Sequence, residues 1–228
     1  TPSIIFMRII TFVDLENFKY SLWQSNSLRE PKYDMLNLIC ENIVKRMNWE
    51  RFNPRHIRTY VYTGEYTEGL INQIKNFRIE KDWQKEKVTK SLEVAQRRRK
   101  AQQSLFEYLK TCNFFEIKTT PLKFKIHLPK PFVQKGVDVL IATDLLSHAY
   151  QDNFDVAIIC SGDLDLIESI KMVKNLGKKV IIVSHKSERD SGISKNLIKE
   201  SDYFLNIADF KPEELDEISE IVQKEYSA

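Results

Sequence analysis

Residues 156–165 read VAIICSGDLD, an unbroken apolar run followed by serine, glycine and two aspartates. A short apolar run rich in β-branched residues and bounded by turn residues is typical of a strand buried on both faces of a parallel sheet. Beyond it, an apolar pattern ending at Gly177 predicts a helix over residues 164–176, because glycine is favoured just past the last helical turn. The stretch therefore predicts a strand, a turn that carries Asp163 and Asp165, and a helix.

The same alternation of strands and helices recurs on both sides of this stretch. Strands are predicted at residues 8–13, 57–62, 114–119, 180–184 and 203–207, and helices at 34–49, 137–150, 194–200 and 211–226. Strands that alternate with helices indicate parallel pairing through right-handed crossovers. The sequence therefore predicts one α/β domain with a central, mainly parallel sheet. The first strand is expected to run into a loop at residues 14–17.

An insertion separates the second and third predicted strands. Residues 66–110 contain no proline and no glycine after Gly69, and they hold eleven Lys or Arg against six Asp or Glu. This composition predicts a basic helical insert, which Leu105, Phe106 and Leu109 are expected to return to the core. Residues 118–135 then carry five lysines, three prolines and no acid, and so predict an exposed basic loop.

Composition excludes several classes of protein. No apolar run in these 228 residues approaches the roughly 20 that a membrane-spanning helix needs. The three cysteines are far apart and form no CxxC pair, which argues against a disulfide scaffold or a zinc site. No P-loop, GxGxxG or HxxxH motif occurs. We therefore expect a soluble, cytoplasmic protein with no membrane partner.

Acidic residues follow or precede three separate predicted elements. Asp14 ends the first strand, Asp138 opens a helix, and Asp163 and Asp165 follow the buried strand. Ligands of open α/β sheets bind at the carboxyl ends of the strands, where these acids are expected to meet. Carboxylate oxygens suit Mg²⁺ or Mn²⁺, and such an ion relieves their mutual repulsion. The pattern predicts a metal site that hydrolyses phosphodiester bonds.

Other polar residues near these acids are candidates for supporting roles. Asn17 is placed to orient a carboxylate or the attacking water. Asp144 lies about 240° around the helix from Asp138, so it is a candidate for a position behind the metal ligands, with a surface or helix-pairing role left open. Ser161 is a candidate for the same supporting role, and helix capping is the alternative for it. Asp155 precedes a strand and is predicted to be structural.

Cations near the acids predict a polyanionic substrate. A basic cluster beside an acidic metal centre would attract nucleic acid towards carboxylates that otherwise repel it. The candidate phosphate-binding residues are Lys123, Lys125, Lys130, Lys135 and Arg98, with Lys118 in the same acid-free loop. A solvated helix face is the alternative for residues 75–100. Phe124 and Phe132 are either base-stacking or buried.

Several motifs together resemble the NYN domains, relatives of the PIN nucleases, in their LabA-like branch. They are VDLEN at residues 13–17, KGVDV at 135–139 with Asp144 downstream, SGDLD at 161–165 and GKKV at 177–180. Residues 194–197 and 201–204 resemble the closing segment of the family. Two positions depart from the pattern, Leu15 where glycine is frequent and Leu166 where phenylalanine is frequent.

The resemblance implies a PIN-like three-layer sandwich and a metal-dependent ribonuclease that prefers single strands. It implies Asp14, Asp138 and Asp163 as ligands of Mg²⁺ or Mn²⁺, with Asp165 in support. The domain is expected to span residues 1–208, followed by an acidic C-terminal helix within 209–228. RNA is the expected partner, with single-stranded DNA as an alternative.

Two other interpretations remain open at the level of sequence. In the first, the chain keeps the NYN fold without catalysis and binds RNA or a protein. In the second, the acidic tail pairs with the basic insert between the subunits of a homodimer.

Overall fold

A computed structural model describes residues 5–23, 29–31, 52–186 and 195–221. Its elements in chain order are β1 (Ile5–Asp14), α1 (Leu15–Trp23), β2 (Arg29–Pro31), β3 (Phe52–Glu65), α2 (Glu68–Lys75), α3 (Asp82–Leu109), β4 (Phe115–Pro121), β5 (Lys123–Phe124), β6 (Phe132–Val133), α4 (Val137–Tyr150), β7 (Val156–Cys160), α5 (Ile167–Asn175), β8 (Lys179–Ser184), α6 (Lys195–Glu200), β9 (Tyr203–Asn206), α7 (Pro212–Ile218) and β10 (Ser219–Ile221). Single 3₁₀ turns precede α5 and follow β9. The helix predicted over residues 34–49 lies outside the described residues.

Six strands form the central sheet in the order β4-β3-β1-β7-β8-β9, and all neighbours pair in parallel. The sheet includes every strand that was predicted, so the predicted α/β class with a mainly parallel sheet is confirmed. From β1 the chain moves outward to β3 and β4, and later returns to build the other half from β7. The direction of winding thus reverses between β1 and β7, and ligands of open α/β sheets bind beside such a switch point.

Both faces of the sheet are covered by helices. Alternate residues of β7 divide between two core clusters: Ile158 and Cys160 pack in the cluster that contains Phe18 of α1. Ala157 and Ile159 pack in the cluster on the opposite face, which contains residues of α4, α5 and α6. This period of two is what a strand imposes when both of its faces are buried. The result is the predicted three-layer sandwich.

The basic insert is helical, as predicted, but the loop that follows it is not simply exposed. Leu122, Phe124 and Ile126 are buried beside residues of α2 and α3 in a third core cluster. Residues 118–121 continue β4, while β5 and β6 pair as a short antiparallel ribbon. The prediction of an exposed loop is wrong here because every second residue from Leu122 to Ile126 is apolar and packs against the helices of the insert. Of the three predicted anchors, Leu109 is buried, and Leu105 and Phe106 are half-buried.

Two further predictions are wrong in their local structure. Residues 14–17 form no loop, because α1 begins at Leu15 and Oδ1 of Asp14 accepts a hydrogen bond from the Asn17 N–H at 3.2 Å, as a helix-capping aspartate does. The helix predicted over residues 211–226 ends at Ile218, because residues 219–221 pair antiparallel with β2. Residues 222–226 lie outside the described part of the chain.

Two aspartates at the amino edge of the sheet accept hydrogen bonds from the neighbouring strand. Asp155 accepts hydrogen bonds from the backbone N–H of Arg8 at 2.7 Å and from its guanidinium at 2.8 and 3.1 Å. The hydrogen bond from the Arg8 side chain lowers the pKa of Asp155. Asp202 accepts likewise from the backbone N–H of Val180 at 2.7 Å. The predicted structural role of Asp155, at the end opposite the other acids, is confirmed.

No helix in residues 5–23, 29–31, 52–186 or 195–221 is long and apolar enough to span a bilayer.

Candidate metal centre and nucleic-acid interface

Three aspartates line one cavity at the carboxyl edge of the sheet. The cavity measures about 230 Å³, and we call it the acidic cavity. Its lining consists of Asp14, Gln134, Gly136, Val137, Asp138 and Asp163. Asp14 ends β1 and Asp163 follows β7, so two of the carboxylates flank the switch point of the sheet. The structure therefore brings together three acids that are far apart in the sequence.

Asp14 is buried, with only 5% of its surface exposed. Burial raises the pKa of its carboxyl group to about 6, and the negative charges of Asp163 and Glu16 act in the same direction. The hydrogen bonds from Asn17 oppose this shift because they stabilise the charged form. The carboxylate of Asp14 thus carries a charge that the surrounding protein compensates only in part.

Asn17 connects the two strand ends that flank the switch point. Its backbone N–H donates to Asp14, and its Oδ1 accepts from the backbone N–H of Gly162 at 3.3 Å. The side chain therefore ties the end of β1 to the turn after β7. In this position Asn17 orients the segments that carry Asp14 and Asp163.

The turn after β7 is ordered by its own side chains. Oγ of Ser161 accepts from the Asp163 N–H at 3.2 Å, and Oδ1 of Asp163 accepts from the Asp165 N–H at 3.1 Å. Asp163 caps the following 3₁₀ turn and lines the acidic cavity as well. Asp165 is exposed and does not line this cavity.

Asp138 owes its position to the glycine before its helix. Gly136 has a φ of +84°, in the left-handed region that strains other residues, and α4 begins directly after it. Asp138 is therefore in the first turn of α4, on the wall of the cavity.

Gln134 is a lining residue that sequence reasoning missed. Its Oε1 accepts from the backbone N–H of Gly64 at 2.9 Å, which holds the segment before α4 against the end of β3. A Cβ atom on Gly64 would lie 2.5 Å from Cδ2 of Leu122, so a larger residue here would displace the Leu122 side chain. A lone glutamine in a basic stretch gives no signal of such a role in the sequence.

The donor set of the acidic cavity fits a hard divalent cation. Among the residues that the structure describes, no three His, Cys, Asp or Glu side chains are placed to ligate one ion directly. Mg²⁺ commonly keeps several waters and is held by only one or two carboxylates, so direct contact with all three acids is not required. The partly uncompensated charge of Asp14 beside Asp163 is what such an ion would neutralise.

Asp144 has its own partners outside the acidic cavity. Its Oδ2 accepts from the Tyr62 hydroxyl at 2.8 Å and lies 2.7 Å from Nζ of Lys118. Burial, followed by the charge of Asp144, raises the pKa of Tyr62. Lys118 lies in β4 and is paired, so its predicted place in an exposed loop is wrong. Asp144 thereby links α4 to β3 and β4.

We predict that Lys118→Met destabilises the protein by about 1 to 2 kcal/mol, because it leaves the half-buried Asp144 without its cation. Urea unfolding measures the change. The matched control is Lys123→Met, in the exposed part of the adjacent ribbon, with an expected change within about 0.5 kcal/mol. Equal stability of the two variants would show that the Lys118 pair contributes nothing.

A larger cleft adjoins the acidic cavity, and Gln134 lines both. It measures about 780 Å³ and lies between the insert helix α3 and the β5–β6 segment; we call it the insert cleft. Of the predicted phosphate-binding residues, Arg98 and Lys130 line it. Lys123, Lys125 and Lys135 are exposed and line neither the insert cleft nor the acidic cavity.

The comparison with protein families gives the class of protein. The family model of the NYN domain matches residues 8–208. The match covers most of the chain, so the protein belongs to the NYN domain family, within the superfamily of PIN-like nucleases. The LabA-like branch stays a prediction. A search among curated proteins finds no match.

One solved structure supports the fold. A protein of unknown function from Vibrio parahaemolyticus is similar with a TM-score of 0.53 and 18% sequence identity, over 89% of this chain and 94% of that one. At this identity the likeness shows the fold alone. The nicotinamidase SaPncA from Staphylococcus aureus also matches, over 82% of this chain and 89% of that one. Its TM-score of 0.29 and identity of 11% carry no argument about function.

Proposed function

We propose that the chain is a metal-dependent endoribonuclease whose reaction centre is the acidic cavity. The observation that carries this proposal is the meeting of Asp14, Asp138 and Asp163, from three separate elements, in one cavity at the switch point of the sheet. A cluster of carboxylates repels the phosphates of RNA unless a cation lies between them. Such a cluster therefore suits hydrolysis with a bound ion better than binding alone.

Each residue of the cavity has a defined task in this proposal. Asp14, Asp138 and Asp163 would hold Mg²⁺ or Mn²⁺, and Asn17 keeps Asp14 and the turn after β7 in register. A bound ion supplies charge neutralisation at the phosphate and lowers the pKa of a water molecule. Asp165 is proposed to order water from the rim, in line with its exposed position beside Asp163.

The substrate class follows from the charge near the cavity. The insert cleft contains Lys87, Lys90, Arg98 and Lys130 against Glu16 and Glu86, so its cations outnumber its acids. Cations of this kind bind a phosphate backbone. We propose RNA as the substrate, and single-stranded DNA as the alternative that the assay below separates from it.

The test is the cleavage of a circular single-stranded RNA, since only an endonuclease opens a circle. We expect linear product with Mn²⁺ or Mg²⁺, none with EDTA, and little cutting of circular DNA of the same sequence. Equal cutting of circular DNA would show that the enzyme is not specific for RNA. Cutting that persists in EDTA would overturn the proposed metal dependence.

A second candidate function is an RNA-binding module without catalysis. The observation that favours it is the insert cleft, where cations outnumber acids, because this surface suits RNA binding without an ion in the acidic cavity. In that case the circular RNA would be bound but stay intact with every metal ion.

A further inference from the structure

The insert cleft combines aromatic rings with positive charge. Trp83 of α3 and Trp23 of α1 line it, with 46% and 43% of their surfaces exposed. Lys87 lies 6.0 Å from the Trp83 ring centroid, and the Arg98 guanidinium lies 6.0 Å from that of Tyr66. Large exposed rings inside a concave, cationic surface are the features on which proteins stack the bases of single strands.

The walls of the cleft hold it in shape. Gln102 of α3 donates to the Gly64 carbonyl at 2.8 Å and accepts from the Tyr66 N–H at 2.9 Å, which anchors the helix to the end of β3. Nearer the start of the same helix, the Lys87 ammonium donates at 2.8 Å to the carbonyl of Leu128, which lies between β5 and β6. The insert is thus fixed to the core at one point and to the β5–β6 segment at another.

The dimensions and position of the cleft suit a nucleotide chain. Its volume of about 780 Å³ lies within the range of roughly 300 to 1,000 Å³ that is typical of ligand pockets. Since Gln134 lines both cavities, the insert cleft lies next to the acidic cavity, within reach of a strand bound there. Its phosphates would then meet Lys90, Lys130 and Arg98.

We propose that the insert cleft binds the unpaired nucleotides that flank the cleaved bond, with a base stacked on Trp83 and phosphates on the surrounding cations. This inference rests on the proposed function for the identity of the ligand, RNA. It assigns to the insert a role as the substrate arm that selects single strands, because a base must leave its duplex partner before it can stack on a side chain.

The test measures binding without cleavage. All variants are made in Asp163→Asn protein, without metal, and titrated with fluorescein-labelled single-stranded RNA. We expect Trp83→Ala to weaken binding about 5- to 100-fold, and Trp83→Phe to keep most of the affinity because it retains a ring. Lys90→Ala is expected to weaken binding and to reduce its dependence on salt.

Matched controls come from the same helix. Tyr108→Ala removes a ring that is 48% exposed but lies outside the cleft, and Lys85→Ala removes an exposed cation outside it. Both are expected to bind like the parent protein. Affinity of Trp83→Ala within twofold of the parent would overturn the inference, as would equal losses in Tyr108→Ala or equal binding of duplex RNA.

The proposed function can fail independently of this inference. If the wild-type protein cuts no RNA while Trp83→Ala still loses affinity, the cleft is a single-strand binding site in a protein that does not cleave. If the protein cuts RNA while the Trp83 variants bind normally, the insert cleft is not the substrate arm.

Discussion

Asp163→Asn is expected to lower metal-dependent cleavage of single-stranded RNA by at least about 100-fold. Loss of even an outer partner of a metal ligand costs about 10- to 100-fold, so loss of a ligand should cost no less. The fold should survive, because asparagine caps a helix about as well as aspartate and can still accept from the Asp165 N–H. RNA affinity without metal should rise slightly, since one negative charge is removed.

Initial cleavage rates with Mn²⁺ measure this effect, and circular dichroism confirms the fold. Glu168→Gln is the matched control, because it neutralises an exposed acid of α5 that does not line the acidic cavity. We expect the control to cut like the wild type. Cleavage by Asp163→Asn at more than about a tenth of the wild-type rate would remove this residue from the reaction centre.

Asp14→Asn is expected to abolish cleavage and yet to stabilise the metal-free protein. The pKa of Asp14 rises from 3.8 to about 6 on folding, so the folded state binds this proton more tightly than the unfolded state does. Stability therefore falls as the pH rises from about 4 to about 6, and the full cost of about 3 kcal/mol applies above that window. Asparagine carries no charge and avoids this cost.

Urea unfolding at pH 5.0 and pH 7.5 measures the effect. We expect a gain of about 1 to 2 kcal/mol at pH 7.5, after the cost of burying the amide, and a smaller gain at pH 5.0. Asp155→Asn provides the opposite case, because the pKa of Asp155 is lowered by Arg8 and its charge stabilises the fold at neutral pH. A loss of stability in Asp14→Asn at pH 7.5 would contradict the claim that the buried charge of Asp14 destabilises the metal-free fold.

The sequence predicted the centre of the sheet well because strands such as β7 are buried on both faces. A short, uninterrupted apolar run such as residues 156–160 is typical of a central strand. The observed strand has its predicted bounds. The helix over residues 137–150 was also predicted with its observed bounds. The order of the strands was not predicted, since it depends on contacts between distant segments.

The acids of the candidate site and Asn17 were predicted from the sequence, whereas two glutamines near it were missed. Asp14, Asp138 and Asp163 follow from their places beside strands and a helix, because the carboxyl edge of a parallel sheet is common to all strands. Gln134 and Gln102 have no such pattern in the sequence. Only the folded chain shows that Gln134 accepts from the backbone N–H of Gly64 and that Gln102 donates to its carbonyl. The pairing of Lys118 with Asp144 was missed for the same reason.

The structure also explains why the basic insert was hard to interpret. Its charges resemble those of any solvated helix, and only the apolar pattern of residues 122–126 beneath it indicates a fixed position. Once it is fixed, Trp83, Lys90 and Arg98 face a cleft next to the acids. The charge of the insert then becomes part of a surface that RNA can occupy.

The most direct test of the central claim, that the acidic cavity holds a divalent ion, is a titration of the metal-free protein with Mn²⁺. Bound Mn²⁺ is followed by the loss of the paramagnetic resonance signal of the free ion. We predict saturable binding to the wild type and to Glu168→Gln, and loss of that binding in the double variant Asp14→Asn with Asp163→Asn. Binding that is unchanged in the double variant would place the ion elsewhere and contradict the account.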